Sequence, residues 1–252
     1  MSRSWLWLLL GAFLFVVPLS GCGGGGSGDG GSGSGSESKR ILLLTNGDDP
    51  FWDCMREGMI KASEDLKLAD AGMVAELDKN DGTPKGQVDK LKQYASRSDV
   101  AAVMISVIEP NNIAIYKAMK ELEAQGIKVI TIDSDIATAK ADARTVYIGT
   151  DNMAAGRELG KAAKALAGEG EHAYAAFSGY PDTDNASKRV AGFGEAAGES
   201  FKLTENLGDE LNHSTAQRNV RTALDNHQEI DVLCGIWAYN AHAIVEVVKE
   251  RD

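Results

Sequence analysis

From residue 39 onward, short continuous apolar runs alternate with longer stretches in which apolar residues recur every three or four positions. Arg40 to Thr45 (RILLLT) reads as a strand buried on both faces, ended by the turn-forming run Asn46-Gly47-Asp48-Asp49-Pro50. Residues 51–68 carry helical spacing, with Met55, Met59, Ala62 and Leu66 on one face. Further strands are predicted at 73–77, 100–107 and 127–132, separated by helices at 84–95 and 111–124, the second closed by Gln125-Gly126. The second half repeats the scheme. A strand at 146–149 leads into a helix at 152–167 with Asp151 as N-cap, then a strand at 172–177 and a turn at Gly179-Tyr180-Pro181-Asp182. A helix at 186–200, a strand at 201–207, a helix at 215–226, a strand at 232–237 and a helix at 240–249 follow.

Apolar strands joined by short connections through helices predict an α/β fold: two lobes, each a parallel sheet flanked by helices, meeting near Thr150. In such sheets ligands bind beyond the carboxyl ends of the strands, which singles out residues 46–52, 106–112 and 133–136. The last helix is still running at Lys249-Glu250-Arg251-Asp252, so the second lobe is expected to continue past residue 252.

Ahead of the fold, residues 1–22 have the layout of a secretion signal, with Arg3 before an apolar stretch from Trp5 to Val17. That stretch is shorter than the roughly 20 residues a membrane span needs. Residues 23–38 are almost all Gly and Ser and read as a flexible tether reaching roughly 20–25 Å. The globular part is then divided into an N-terminal lobe, 39–150, and a C-terminal lobe, 151–252. The 252 residues are 43% hydrophobic and 25% charged, an ordinary globular composition rather than a disordered one. With 37 acidic against 26 basic residues and no basic stripe, nucleic acid is not an expected partner. Cys22, Cys54 and Cys234 give neither a disulfide framework nor a metal spacing, and Cys54 and Cys234 read as packed free thiols. The four histidines form no HExxH or close pair, and neither a G-x-S-x-G elbow nor a phosphate loop is present, so no metal, no cofactor and no enzymatic activity are expected.

Several ordered segments resemble known proteins. Leu19-Ser20-Gly21-Cys22 resembles the lipobox of bacterial lipoproteins, which implies cleavage and lipidation at Cys22 and a membrane-anchored protein of the periplasm or cell envelope. Asp49-Pro50-Phe51-Trp52 looks like the loop after the first strand of the ribose-binding type of periplasmic sugar-binding proteins of ABC importers, a type shared with LacI-like effector domains. Val129 to Asp135 looks like that family's strand ending in the Asp that grips the sugar, Tyr147 to Gly156 like its lobe crossover, and Ser187 to Phe193 like its Arg-bearing helix. Gly235-Ile236-Trp237-Ala238-Tyr239-Asn240 stands where further contacts occur. The resemblance spans residues 39–252. It implies a two-lobed type I periplasmic binding protein with Rossmann-like lobes and a hinge at Thr150 and Asp151. The implied ligand contacts are Asp49, Phe51, Trp52, Asp133, Ser134, Arg189, Trp237, Tyr239 and Asn240.

The chemistry of those residues stands beside the resemblance. A carboxylate such as Asp133 can accept from two neighbouring sugar hydroxyls and a guanidinium such as Arg189 can donate to two, while flat rings cover the C–H faces. Each also has a plainer reading: a solvated strand-end Asp, a surface helix Arg, a core Trp. Asp49 replaces an Asn, and Ser134 an Arg, of the ribose pattern, which exchanges a guanidinium for a carboxylate. A neutral sugar or polyol other than ribose is expected. With Asp49, Asp133 and Asp135 offering surplus negative charge, an amino-bearing ligand is the second possibility. The expected partners are that small sugar, an ABC permease and, through the lipid, the membrane, for a monomer; the alternative is a sensor subunit presenting its loaded form to a chemoreceptor or kinase.

Overall fold

The computed structural model describes residues 38–251; the signal segment, Cys22 and residues 23–37 of the tether lie outside them. Among the described residues the strands form two parallel sheets. In the first, β1 (Lys39–Leu44), β2 (Met73–Asp78), β3 (Val100–Ile105), β4 (Lys128–Ile132) and β5 (Val146–Ile148) lie in the order β2-β1-β3-β4-β5. In the second, β6 (His172–Ser178), β7 (Phe201–Gly208) and β8 (Ile230–Gly235) lie in the order β7-β6-β8. The connecting helices are α1 (Phe51–Asp65), α2 (Pro84–Ala95), α3 (Ile113–Ala124), α4 (Asn152–Ala167), α5 (Asp184–Ala197), α6 (His213–Asn226) and α7 (Ala238–Arg251).

Strand side chains alternate between faces, so an unbroken apolar strand feeds two cores at once. On β1, Leu42 and Leu44 join Leu91, Ile115, Met119 and Leu122 of α2 and α3, while Leu43 faces Trp52 of α1 and Ile132. On β6, Tyr174 and Ala176 meet Phe193 of α5, whereas Ala175 and Phe177 meet Val220 of α6 and Val247 of α7. Helices α4 and α5 touch at backbone level. A Cβ added at Gly156 would collide with the carbonyl of Arg189, and one at Gly192 with that of Met153.

Three local expectations are corrected. Helix α1 ends at Asp65 and buries only Trp52; Met55 and Met59 are half-buried, Ala62 is exposed and Leu66 is 71% exposed. The buried arc starts one turn earlier than the Met stripe suggested, because the indole covers Leu43 and Ile132 and leaves Met55 and Met59 packed at the edge of the same cluster. Residues 106 and 107 have left the strand, and α3 starts at Ile113 because the Asn112 side chain accepts from the N–H groups of Ala114 and Ile115. A 3-10 turn at Thr138–Ala143 follows β4, where the apolar pattern carries no period.

Candidate functional site

In both sheets the strand order reverses beside a central strand, between β1 and β3 and between β6 and β8, and the loops at those two points face one another. Buried Gln87 of α2 holds the first pair of strand ends together. Its Nε2 donates to the carbonyls of Thr45 (3.0 Å) and Ser106 (2.7 Å), and its Oε1 accepts from Ile108 N–H (3.1 Å). Asn46, next after Thr45, is 3% exposed, and its side-chain amide bonds no described residue. Asp49 Oδ1 accepts from Phe51 N–H (2.8 Å) in the turn ahead of α1, and the half-exposed Phe51 stands edge-on to Trp52 at 5.0 Å.

Asp133, just past β4, has a left-handed backbone (φ 57°), a conformation that Asp and Asn tolerate better than most residues. Its carboxylate accepts from Ser106 Oγ (2.9 Å) and, across the two halves of the fold, from Asn185 Nδ2 (3.1 and 3.2 Å). Burial pushes the Asp133 carboxyl above the usual carboxylate range, against the opposing pull of the Ser106 and Asn185 bonds and of the Arg189 charge. Arg189 lies one turn of α5 beyond Asn185 and shares its face. Its Nε donates to Asn152 Oδ1 (3.0 Å) and its Nη1 to the Ile236 carbonyl (3.1 Å), leaving Nη2 without a partner among the described residues. Asn152 in turn donates to the Tyr147 hydroxyl (3.3 Å), which lies 2.9 Å from the Asp133 carbonyl. Burial pushes the Tyr147 hydroxyl up to about 12.

Between these elements is a cavity of about 500 Å³. Asn46, Asp49, Phe51, Trp52, Cys54 and Asp133 line it from the first half, and Asn185, Arg189, Leu211, Trp237, Tyr239 and His242 from the second. Leu211 packs so closely on Gly47 that a Cβ there would collide with it, and Tyr180 of the second half packs into the first core. Trp237 stands edge-on to Tyr180 and Tyr239, and its Nε1 is buried without a hydrogen-bond partner among the described residues.

The structure brings seven of the nine expected contacts to this cavity and leaves two out. Ser134 is fully buried and absent from the lining. The turn at Asp133 bonds Ser134 N–H to the Ile132 carbonyl and drives the next side chain inward. Asn240 is fully buried behind Tyr239, bonded to Asp209 (2.7 Å) and to Trp237 N–H (3.2 Å). Asp135 adds no free charge either, because Arg144 grips it with two bonds of 2.7 Å. Thr150 and Asp151 join β5 to α4, with Asp151 capping the helix by accepting from Ala154 N–H (3.0 Å). Cys234 is buried and its thiol is pushed up to about 12 by burial, whereas Cys54 is exposed rather than packed. Sequence reading missed Asn46, Asn185, Leu211 and His242. Asn46 lay in a strand-end segment already marked, and Asn185 could have been found from its i, i+4 relation to Arg189.

Acceptors, donors and flat rings therefore converge on one enclosed volume, the equipment for holding a compact polar molecule with apolar faces. The sequence matches the family described as periplasmic binding protein domain over residues 41–252. A comparison with curated proteins gives no match. Among solved structures, the chain is similar to an ABC transporter solute binding protein from Burkholderia graminis C4D1M in complex with D-arabinose. The TM-score is 0.72 at 26% identity, over 84% of this chain and 71% of that one. It is also similar to an ABC transporter solute binding protein from Agrobacterium vitis with bound D-fucose (TM-score 0.76, 20% identity, 84% of this chain and 72% of that one). A chain of the XylFII–LytSN complex is similar too (TM-score 0.73, 22% identity, 85% and 76%).

Proposed function

The chain belongs to the periplasmic binding protein domain family, and from that premise we propose that it is a lipid-anchored extracytoplasmic protein that captures a small sugar or sugar-like polyol between its two halves and delivers it to an ABC permease. It is a binding protein and not an enzyme. The observation that carries the reading is the meeting of Asp133 from the first half with Arg189 from the second on one cavity of about 500 Å³, walled by Phe51, Trp52, Trp237 and Tyr239. Asp133 accepts from ligand hydroxyls, Arg189 Nη2 donates to them, and the rings cover the sugar's C–H faces. The D-arabinose and D-fucose complexes of similar proteins support a monosaccharide of that size.

Binding is coupled to closure about Thr150 and Asp151. A ligand touching both halves makes the closed arrangement the lower in free energy, and the Asn185–Asp133 bond already crosses between them. The closed, loaded form is the one a permease would recognise. A second reading, presentation of the loaded form to a receptor or sensor kinase, uses the same cleft; the likeness to a chain held in the XylFII–LytSN complex supports keeping it.

The test is a thermal-shift screen of the soluble chain against D-arabinose, D-fucose, D-galactose, D-glucose, D-glucosamine and myo-inositol. A sugar at about 100 times its Kd should add about 2.7 kcal/mol of stability. Absence of any shift across the panel overturns the reading.

A further inference from the structure

Behind the Trp237–Tyr239 wall lies a carboxylate that the sequence did not single out. Asp209, just past β7, is 1% exposed and has no cationic partner among the described residues. Its neighbours are all donors or potential donors: Leu211 N–H reaches Oδ1 (3.0 Å), Asn240 Nδ2 reaches Oδ2 (2.7 Å), and the Tyr239 hydroxyl bonds Oδ1.

The proton positions follow by elimination. A backbone N–H can only donate, so Trp237 N–H requires the oxygen of Asn240 at its end (3.2 Å) and turns Nδ2 toward Asp209. Leu211 N–H likewise requires an acceptor. An ionised carboxylate accepts only, so the remaining group, the Tyr239 hydroxyl, gives its single proton to Asp209. Its oxygen is left with lone pairs and no hydrogen to offer.

From this geometry we infer that Asp209 is a specificity-determining positioning residue, which locks the Tyr239 hydroxyl as an acceptor so that this wall of the cleft selects a ligand presenting a hydroxyl or ammonium donor. The inference rests on the sugar-capture reading of the cavity. Burial raises both groups above their ordinary ranges, while the bond between them pulls the Asp209 carboxyl down and pushes the Tyr239 hydroxyl further up, in keeping with a shared proton held on the tyrosine side. Asp49 lines the same cavity as Tyr239, so this part of the cleft is rich in acceptors, while Arg189 supplies donors.

The test has a readout that needs no ligand and one that does. In NMR of the soluble chain, a slowly exchanging hydroxyl proton that disappears in Tyr239→Phe belongs to Tyr239. It should be lost in Asp209→Asn, where the new amide sets a donor against Asn240 Nδ2 or against the phenol. The exchange D209N/N240D restores every donor–acceptor match, because the amide at 209 then donates to the carboxylate at 240 and accepts from Tyr239 and Leu211. The signal should return in it.

Calorimetry with D-arabinose, D-fucose, D-galactose, D-glucose and D-glucosamine supplies the second readout. Every sugar bound by the wild type should weaken by about tenfold or more in Tyr239→Phe and Asp209→Asn, and recover to within about threefold in the exchange. A preference for D-glucosamine over D-glucose assigns the donor as an ammonium; the reverse assigns a hydroxyl. Unchanged affinity in Tyr239→Phe, or a hydroxyl signal that survives Asp209→Asn, overturns the inference. If the wild type binds none of the five sugars, the sugar reading falls with the selectivity drawn from it, while the hydroxyl signal still decides whether Asp209 holds the proton.

Discussion

Asp133→Asn separates the charge of the central carboxylate from its shape. Asn has the same volume and tolerates the left-handed backbone at φ 57°, where Ala would add about 1–2 kcal/mol of strain. A carboxylate has roughly four lone-pair sites. Ser106 uses one and Asn185 straddles both oxygens, one site on each, which leaves room for one ligand hydroxyl. A hydrogen bond to a charged group contributes about 1.5–3 kcal/mol, and the amide keeps one acceptor while turning the other into a donor, so sugar binding should lose about 2–4 kcal/mol, or about 30-fold to 1000-fold in Kd.

The ligand-free protein should respond with the opposite sign. Burial is the largest influence on this carboxyl and raises its pKa, so the folded chain holds the proton more tightly than the unfolded one. The ionised form therefore opposes folding at pH values above the folded pKa, and this opposition fades as pH falls below the unfolded value of about 3.9. Asp133→Asn should melt at or above the wild type at pH 7, with the difference shrinking toward zero near pH 3.5. Calorimetric titration with the tightest sugar of the screening panel and melting curves at both pH values check this. Affinity within threefold of the wild type, or a loss of stability in the apo protein that is the same at both pH values, refutes the reasoning.

Other expectations follow from the packing and the charges. Gly156→Ala drives a methyl into the Arg189 carbonyl where α4 meets α5, and should reduce stability by about 1–3 kcal/mol in urea unfolding; an unmoved midpoint contradicts the close approach. Asp99, paired with Arg97 and then Arg40, has its carboxyl held below the usual range, so its contribution is present at neutral pH and lost as pH falls through the folded pKa. Asp99→Asn should thus melt lower than the wild type at pH 7 and converge with it in strong acid, as differential scanning calorimetry would show. Iodoacetamide should label exposed Cys54 in the native chain and leave buried Cys234 untouched until denaturant is added, with bound sugar protecting Cys54; mass spectrometry of the peptides reads out both.

Much of the architecture was legible because it is written locally. Apolar runs such as Leu42-Leu43-Leu44 need cover on two faces wherever they sit, and the cap at Asp151 acts on a residue three positions away. The strand-end rule marked the loops that hold Asn46 and Asp133 for the same reason, since the carboxyl end of a parallel strand is set by the strand itself. Ser134, Asn240 and Asp135 could not be judged that way. Each is a polar residue beside a contact position: Asn240 and Asp135 are spent on Asp209 and Arg144, and Ser134 is turned inward by the backbone bond of its N–H to Ile132.

Order of strands and helices, the parallel sheets and the region of the cleft were thus determined by the chain's own pattern, since period, capping and turn chemistry act over a few residues. Which side chains reach the cavity was decided only by the tertiary structure. Asn185 finds Asp133 across 52 positions and Asn240 finds Asp209 across 31, and whether a buried polar group is spent on the protein or kept for a ligand depends on partners that no local pattern encodes.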